Sequence, residues 1–489
     1  MLSIEKDTSA HQTLQLRSFF RLFPRNEVPP DYYRFARGEI DLQQLYALHP
    51  EQAKKAADEA WCVELGASSV ADVRVRIERA LGSSEPWVLL GGPPCQPFSL
   101  AGRSRNVRDT RYSEGKETRH QLYIEYLQII ADFWPSVFVM ENVRGLLTAK
   151  YEGVRMFDKI VDDLCDPATA IDRIPGRTRI QQHRSHGYRL FPLTAVSHAE
   201  ESADGYIHNY IVKSEMHGVP QARHRLIIVG VRDDISGRPA SLASREKVEA
   251  KKVFFGLPRL RSGLSKSDES TAWLASVRAA GSSGWIKQLK KSDEKVGQRV
   301  EDSIHRLSDH AGGRGKPFMS EKIGVSHAPE WYLDSKLGGV CNHQSRGHMV
   351  SDLHRYLFAA CFAEVHGRSP KIADFPKKLL PDHGSVWRAL NGSHFADRFR
   401  VQLPNRPSTT VVSHIAKDGH YYIHPDPGQC RSLTVREAAR LQSFPDNYLF
   451  LGNRTQQYTQ VGNAVPPFLA AQIADIVYDL LAKSEKTSV

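Results

Sequence analysis

Short uninterrupted apolar runs alternate with helically spaced stretches over the first half of the chain. Trp87-Val88-Leu89-Leu90, Ser136-Val137-Phe138-Val139-Met140 and Leu226-Ile227-Ile228-Val229-Gly230 are such runs. Runs of this length without a polar break predict strands buried on both faces, as in α/β sheets. Between the first two, Tyr123, Tyr126, Leu127, Ile130 and Trp134 recur at helical spacing and predict a core helix that returns the chain to the next strand. Val70 to Leu81 reads as a further helix start. Near the C-terminus, Thr434 and Glu437 form a capping box that starts a helix, which Pro445 follows. Pro466-Pro467 opens another helix, with Leu469, Ile473, Ile476, Val477 and Leu480 on one face. Thr409 to Val412 and Tyr421 to Ile423 predict the strands of a hairpin around Asp418-Gly419.

The alternation stops at about Lys252 to Pro258. From Arg259 to roughly Asp302 the chain is polar and rich in Ser and Lys, which predicts irregular structure. The expected fold class is therefore α/β, with residues 1–258 and 431–489 forming one domain and residues 259–430 a second domain inserted into it.

Composition narrows the function classes. The chain has 489 residues, and 66 Lys plus Arg against 55 Asp plus Glu give a formal charge of +11, which suits a polyanionic partner. Six cysteines lie far apart, at positions 62, 95, 165, 341, 361 and 430, with no Cys-x-x-Cys pair. That argues for a reducing compartment and against a disulfide scaffold. No signal peptide and no apolar run of membrane-spanning length is read from the pattern, so a soluble cytoplasmic protein without a membrane partner is expected. The spacing of Cys341, His343, His348 and His354 fits none of the usual structural zinc sites, and no metal is expected.

One cysteine stands apart. Gly91-Gly92-Pro93-Pro94-Cys95-Gln96 ends the first apolar strand in a stiff turn, so Cys95 follows the carboxyl end of a strand, the edge where open α/β sheets bind ligands. A nucleophile fits that place better than a core residue does. Glu141-Asn142-Val143 follows the second strand and Gln221-Ala222-Arg223-His224-Arg225 leads into the third. Later come Arg431-Ser432-Leu433-Thr434-Val435-Arg436-Glu437 and Gln460-Val461-Gly462-Asn463-Ala464-Val465-Pro466-Pro467. In this order the five segments resemble the DNA (cytosine-5) methyltransferase family.

The resemblance implies an S-adenosylmethionine-dependent, Rossmann-like methyltransferase sheet, with the target-recognition domain in the inserted segment 259–430. It implies that Cys95 adds to carbon 6 of a cytosine flipped out of double-stranded DNA, and that Glu141 assists at N3. Arg223 and Arg225 match the arginines that hold the base carbonyl and the catalytic loop. Ser99 to Arg119, with six basic residues, matches a basic loop closing over DNA. For the cofactor, Glu5 matches the residue that binds the ribose, Asp72 the adenine contact, and Asn463 with Ala464 the segment beside the methionine end. A cognate restriction endonuclease is a further implied partner.

One family element is missing from the pattern. The strand and Phe-x-Gly-x-Gly loop that carry the methionine part of the cofactor would precede Ile4. Their absence leads to the expectation that a central strand is lost through a misplaced start, a truncation or supply by a complementing N-terminal polypeptide. Weak binding of S-adenosylmethionine by the chain as written follows from it. Two alternatives stay open here: a truncated remnant that only binds DNA, and a cytosine methyltransferase acting on RNA.

Overall fold

The computed structural model describes the chain except residues 25, 67, 84, 94–111, 152, 181–184, 196–206, 308–311, 383, 385, 387–396 and 488–489. Two short parallel strands, β1 (Ser3–Glu5) and β2 (Ala60–Cys62), pair with Ile4 opposite Trp61. Between them lie α1 (Thr8–Arg21), α2 (Pro30–Ala36), α3 (Leu42–Leu48) and α4 (Pro50–Glu59). After α5 (Val70–Leu81) come β3 (Val88–Gly91), α6 (Tyr112–Phe133) and β4 (Val137–Val143), with β3 and β4 parallel. Then follow α7 (Met156–Cys165), β5 (Tyr188–Phe191), β6 (Ile211–Lys213) and β7 (His224–Arg232). The sheet order is β3-β4-β7-β5, β6 also pairs with β7, and β7 is antiparallel to its three neighbours.

All three apolar runs form strands, but the first is not buried as expected: Val88 and Leu89 are half-buried and Leu90 is 72% exposed. The second extends further than its apolar residues do, because Glu141 pairs in register with Ile227 and Val143 with Arg225. Glu141 is thus a strand residue and not part of a following turn. Among the described residues β1 and β3 do not pair with each other, yet both strand pairs pack on α5 through a cluster containing Val73, Ile77, Trp61 and Leu89.

The stretch after Pro258 departs from expectation. It contains α8 (Ser270–Arg278), α9 (Gly284–Ser292) and α10 (Glu294–His305). Each helix buries a narrow stripe: Trp273, Leu274 and Val277, then Trp285, Ile286 and Leu289, then Val296, Val300 and Ile304. The Ser and Lys residues that predict irregular structure occupy the outer faces, and few apolar residues at helical spacing suffice for a core. An antiparallel pair, β8 (Gly315–Met319) and β9 (Val340–Gln344), precedes α11 (Val350–His366), the helix on which α8 to α10 pack.

The expected hairpin near Asp418-Gly419 does not form either. Ser408–Thr409 instead pairs in parallel with Gln221–Ala222, and Ser413–Ala416 is a 3-10 turn. The two segments meet through a side chain: the Tyr422 hydroxyl accepts from Val412 N and donates to the Thr410 carbonyl. That contact replaces a backbone ladder.

The chain ends with α12 (Val435–Leu441), α13 (Arg454–Asn463) and α14 (Pro467–Thr487). The last helix explains the uninterrupted strand runs. Val137 and Val139 of β4 and Ile227, Val229 and Val231 of β7 face Leu469, Ile473, Val477 and Leu480 of α14. The alternate residues Phe138, Met140, Leu226 and Ile228 face Tyr126, Leu127 and Ile130 of α6. Burial on both faces is why these strands carry no polar alternation. Gly230 belongs to this packing, since a Cβ there would stand 2.1 Å from the Phe138 ring. By length and composition the stretch Arg454–Ser484 reaches that of a membrane span, contrary to the reading of the pattern. It is broken by Ala464 in an extended conformation, and its apolar face packs on the sheet.

Buried charge seats α12. Arg440 is bidentate to Asp446 at 2.9 and 2.7 Å, and its Nη1 donates to the carbonyls of Val253 and Gly324 at 2.8 Å each. Arg431 is bidentate to Glu437 at 2.7 and 2.6 Å, while Glu437 also accepts from Thr434 N and closes the expected capping box. Burial pushes His343 down to about 4 and His424 down to about 3.

Two outcomes follow. Arg440→Met, which leaves Asp446 only the more distant Arg436 at 3.9 Å, should lower unfolding free energy by about 3–5 kcal/mol, and adding Asp446→Asn should recover part of it, as read by denaturant unfolding. The histidines make the fold acid-labile. Below the usual imidazole value of 6.5 the unfolded chain takes up protons that buried His343 and His424 refuse, so stability should fall as pH drops from that value toward 4. Unfolding curves across that window check the sign.

Candidate active site

The turn after β3 meets the end of β4. A Cβ at Gly92 would lie 3.3 Å from both the Glu141 carbonyl oxygen and its Oε2, a tight contact that shows how closely the two segments approach. One residue on, the Asn142 side chain donates from Nδ2 to the Pro93 carbonyl at 3.0 Å. Glu141-Asn142 and Gly92-Pro93 are thus adjacent at the carboxyl ends of two parallel strands. Cys95, two residues beyond Pro93 in sequence, and the basic loop as far as Arg111 lie outside the described residues.

The antiparallel neighbour completes the wall. Arg225 Nε lies 2.9 Å from Glu141 Oε1, with both side chains largely shielded. Burial lowers the Arg225 guanidinium from its usual value, and Glu141 opposes that shift. Arg223 points elsewhere: it is 2% exposed and donates from Nη1 to the carbonyls of Val411 at 2.8 Å and Gly462 at 3.3 Å. Burial, helped by Arg225, pulls it down to about 9, so it remains charged at neutral pH. Gln221 extends the same connection. Its Oε1 accepts from Val411 N at 2.7 Å, and its Nε2 donates to Gln442 Oε1 at 2.9 Å and to the Leu441 carbonyl at 3.2 Å.

These contacts bring the last motif to the site. Gly462 packs so tightly that a Cβ would be 2.2 Å from Ser413 N. Asn463 ends α13 exposed, and Ala464 follows in extended conformation with its carbonyl near Gln442 Nε2 at 3.4 Å.

The remaining expected cofactor residues lie on the β1–β2 side. Glu5 ends β1, and its Oε1 accepts from Asp7 N at 2.8 Å. Asp72 sits in the first turn of α5, where the Ser69 hydroxyl donates to its carboxylate at 2.6 Å and accepts from its backbone N–H at 3.1 Å. That carboxylate serves the helix start. Glu64 was not singled out by sequence reasoning. It lies two residues past β2 and pairs with Lys6 at 2.8 Å, beside Glu5; its signal was its place just after a short apolar strand.

The zinc-like set does not converge on one point through its hydrogen bonds. Cys341 Sγ donates to the Ala36 carbonyl, His343 bonds Thr434 and Pro258, His348 lies near Tyr356, and His354 bonds the Ser276 carbonyl.

Sequence comparison bears on this geometry. The sequence profile of the C-5 cytosine-specific DNA methylases matches residues 51–166 and 194–478. The chain is 31% identical over 495 residues to the Type II methyltransferase M.Bpa9945I of Bacillus paralicheniformis, covering 98% of this chain and 93% of that protein. It is 26% identical over 425 residues to the DNA (cytosine-5-)-methyltransferase M.ApeKI of Aeropyrum pernix, covering 81% of each. It is 24% identical over 438 residues to the Type II methyltransferase M.AgeI of Thalassovita gelatinovora, covering 87% of this chain and 90% of that one.

The two arginines should separate by experiment. Arg223→Met removes charge-assisted bonds to two carbonyls and should cost about 2–3 kcal/mol of stability, with faster amide exchange around Val411 and Gly462. Arg225→Met should leave that exchange unchanged.

Proposed function

The chain belongs to the C-5 cytosine-specific DNA methylases, and on that premise we propose how its residues carry out methyl transfer to DNA. It is a DNA cytosine-5 methyltransferase similar to type II restriction–modification enzymes. The reading of mechanism rests on one observation above all: the Glu141–Arg225 pair stands against the Gly92-Pro93 turn that leads to Cys95.

Carbon 5 of cytosine is a poor nucleophile until a thiolate adds to carbon 6. Cys95 loses its proton and forms that bond, and the displaced π electrons move toward N3. Glu141 hydrogen-bonds or protonates N3 as this charge grows, and Arg225 fixes the carboxyl group and faces the base carbonyl. Carbon 5, now enamine-like, takes the methyl group. Loss of the carbon 5 proton to a base then restores the double bond and expels the Cys95 thiolate. The target base must leave the duplex stack to reach these groups.

S-adenosylmethionine supplies the electrophilic methyl group when bound. Glu5 fits its ribose, because the carboxylate ends a parallel strand with one oxygen oriented by Asp7 N–H and the other without a partner among the described residues. Asn463 and Ala464 fit the methionine end. Asp72 fits the adenine less well, being engaged by Ser69. Residues 259–430 serve as the target-recognition domain, and a restriction endonuclease accompanies the enzyme. Arg223 acts here as a positioning residue for the C-terminal segment.

Two experiments test this. With S-adenosylmethionine present, duplex DNA carrying 5-fluorocytosine, which after methylation has no removable proton at carbon 5, should trap the full chain in a denaturation-resistant adduct that disappears with Cys95→Ser; equal trapping by that variant rules out Cys95 as the nucleophile. Glu141→Gln should slow single-turnover methylation by about 10²–10⁴-fold with DNA affinity nearly unchanged. Lost affinity with an intact rate would instead give Glu141 a structural role.

A further inference from the structure

Four arginines gather around the segment joining β9 to α11. Arg314 donates from Nη2 to the Ser345 carbonyl at 3.0 Å and from Nη1 to Asp268. Arg454, the first residue of α13, donates from Nη1 to the same carbonyl at 3.1 Å. Arg346 is 7% exposed, lies over the Tyr458 ring at 4.5 Å, and donates to the carbonyls of Ile415 and Lys417 at 2.7 and 3.1 Å. Arg261 shares Asp268 with Arg314.

The charges do not balance. Among the described residues, Asp268 is the one carboxylate paired with these four guanidinium groups, and none pairs with Arg346 or Arg454. Burial together with Arg346 and Arg314 lowers Arg454 from its usual value, so the cations repel one another. A shielded cation held only by carbonyls is costly unless an anion approaches. The shared Ser345 carbonyl also sets two forks side by side, the arrangement that binds phosphate oxygens well. Arg314 is 32% exposed at its side chain and Arg454 is half-buried, so an external anion can reach both, while Arg346 supplies charge from beneath.

The cluster is tied to the site through α13. Arg454 and Gly462 are eight residues apart on that helix, about 12 Å at 1.5 Å per residue, and Gly462 is held by Arg223. Leu451 N donates to Thr13 Oγ1 of α1, the helix that begins just after the carboxyl end of β1. A separation of about 12 Å is roughly three to four base-pair steps of duplex.

We propose that Arg314, Arg346 and Arg454 form a phosphate clamp that grips the backbone of duplex DNA a few base pairs from the target cytosine. The clamp rests on the methyltransferase reading above and adds a binding site to it. As phosphate contacts, these fix position and carry no sequence information.

Salt titrations of DNA binding by the full chain test it, using Arg454→Gln, Arg314→Gln and Arg454→Lys on duplexes with and without the methylated sequence. Each Gln variant should reduce the slope of log affinity against log salt by about 1 on both duplexes, measured where its unfolding curve shows it fully folded. Arg454→Lys, which keeps the charge, should restore the slope and show that folding is not the cause. Phosphate-ethylation interference should lose one site in the Gln variants. Unchanged slopes and interference in variants of a DNA-binding parent overturn the clamp and leave the methyltransferase reading standing. A parent that binds no duplex overturns both. Equal loss on single-stranded RNA of the same sequence overturns the assignment to duplex DNA.

Discussion

Three side chains spaced two residues apart, Gln221, Arg223 and Arg225, determine whether this site exists. The chain turns at Arg223, whose N–H donates to the Gln221 carbonyl at 3.0 Å, so this short segment presents its side chains in two directions. Arg225 reaches Glu141, whereas Gln221 and Arg223 reach Val411, Gln442 and Gly462, some two hundred residues further along the chain. No backbone ladder connects Gly462 to the sheet directly. These buried hydrogen bonds carry the C-terminal segment to the edge where β3 and β4 end, and a buried donor left without its acceptor would be expensive.

The ion pairs of α12 extend the same principle. Arg431, Arg436 and Arg440 are almost fully buried, and each reaches backbone carbonyls from distant parts of the chain. Such groups add little net stability compared with apolar packing, but they tolerate few alternative arrangements. They fix the relative register of the segments near Val253, Gly324 and Cys341, which apolar contacts alone leave loosely specified. The segment carrying the arginine clamp, Gln344 to Gly347, leaves the same strand.

The apolar strands, the α6 stripe, the capping box at Thr434 and the opening of α14 were legible because local periodicity and burial agree there. Helices α8 to α10 were not, since only a narrow stripe such as Trp285, Ile286 and Leu289 is buried and the outward Ser and Lys residues dominate the composition. The hairpin failed for another reason: Thr409 to Val412 has strand character, but Gln221 and Tyr422 capture its backbone groups from outside. At the site, Glu141 and Arg225 came from motif order, and the structure puts them in contact. Arg223 shares the motif yet faces the C-terminal segment, a division that pattern alone does not reveal. Asp72 came from the resemblance, as the adenine contact at a helix start, while its capping partner Ser69 defines what its carboxylate does.

The central claim concerns which atom receives the methyl group, and nucleoside composition reads it directly. Duplex DNA is incubated with the full chain and S-adenosylmethionine labelled in its methyl group, digested to nucleosides and separated by mass spectrometry. The account predicts label in 5-methylcytosine alone. Label in N4-methylcytosine, in adenine or only in an RNA substrate would contradict it.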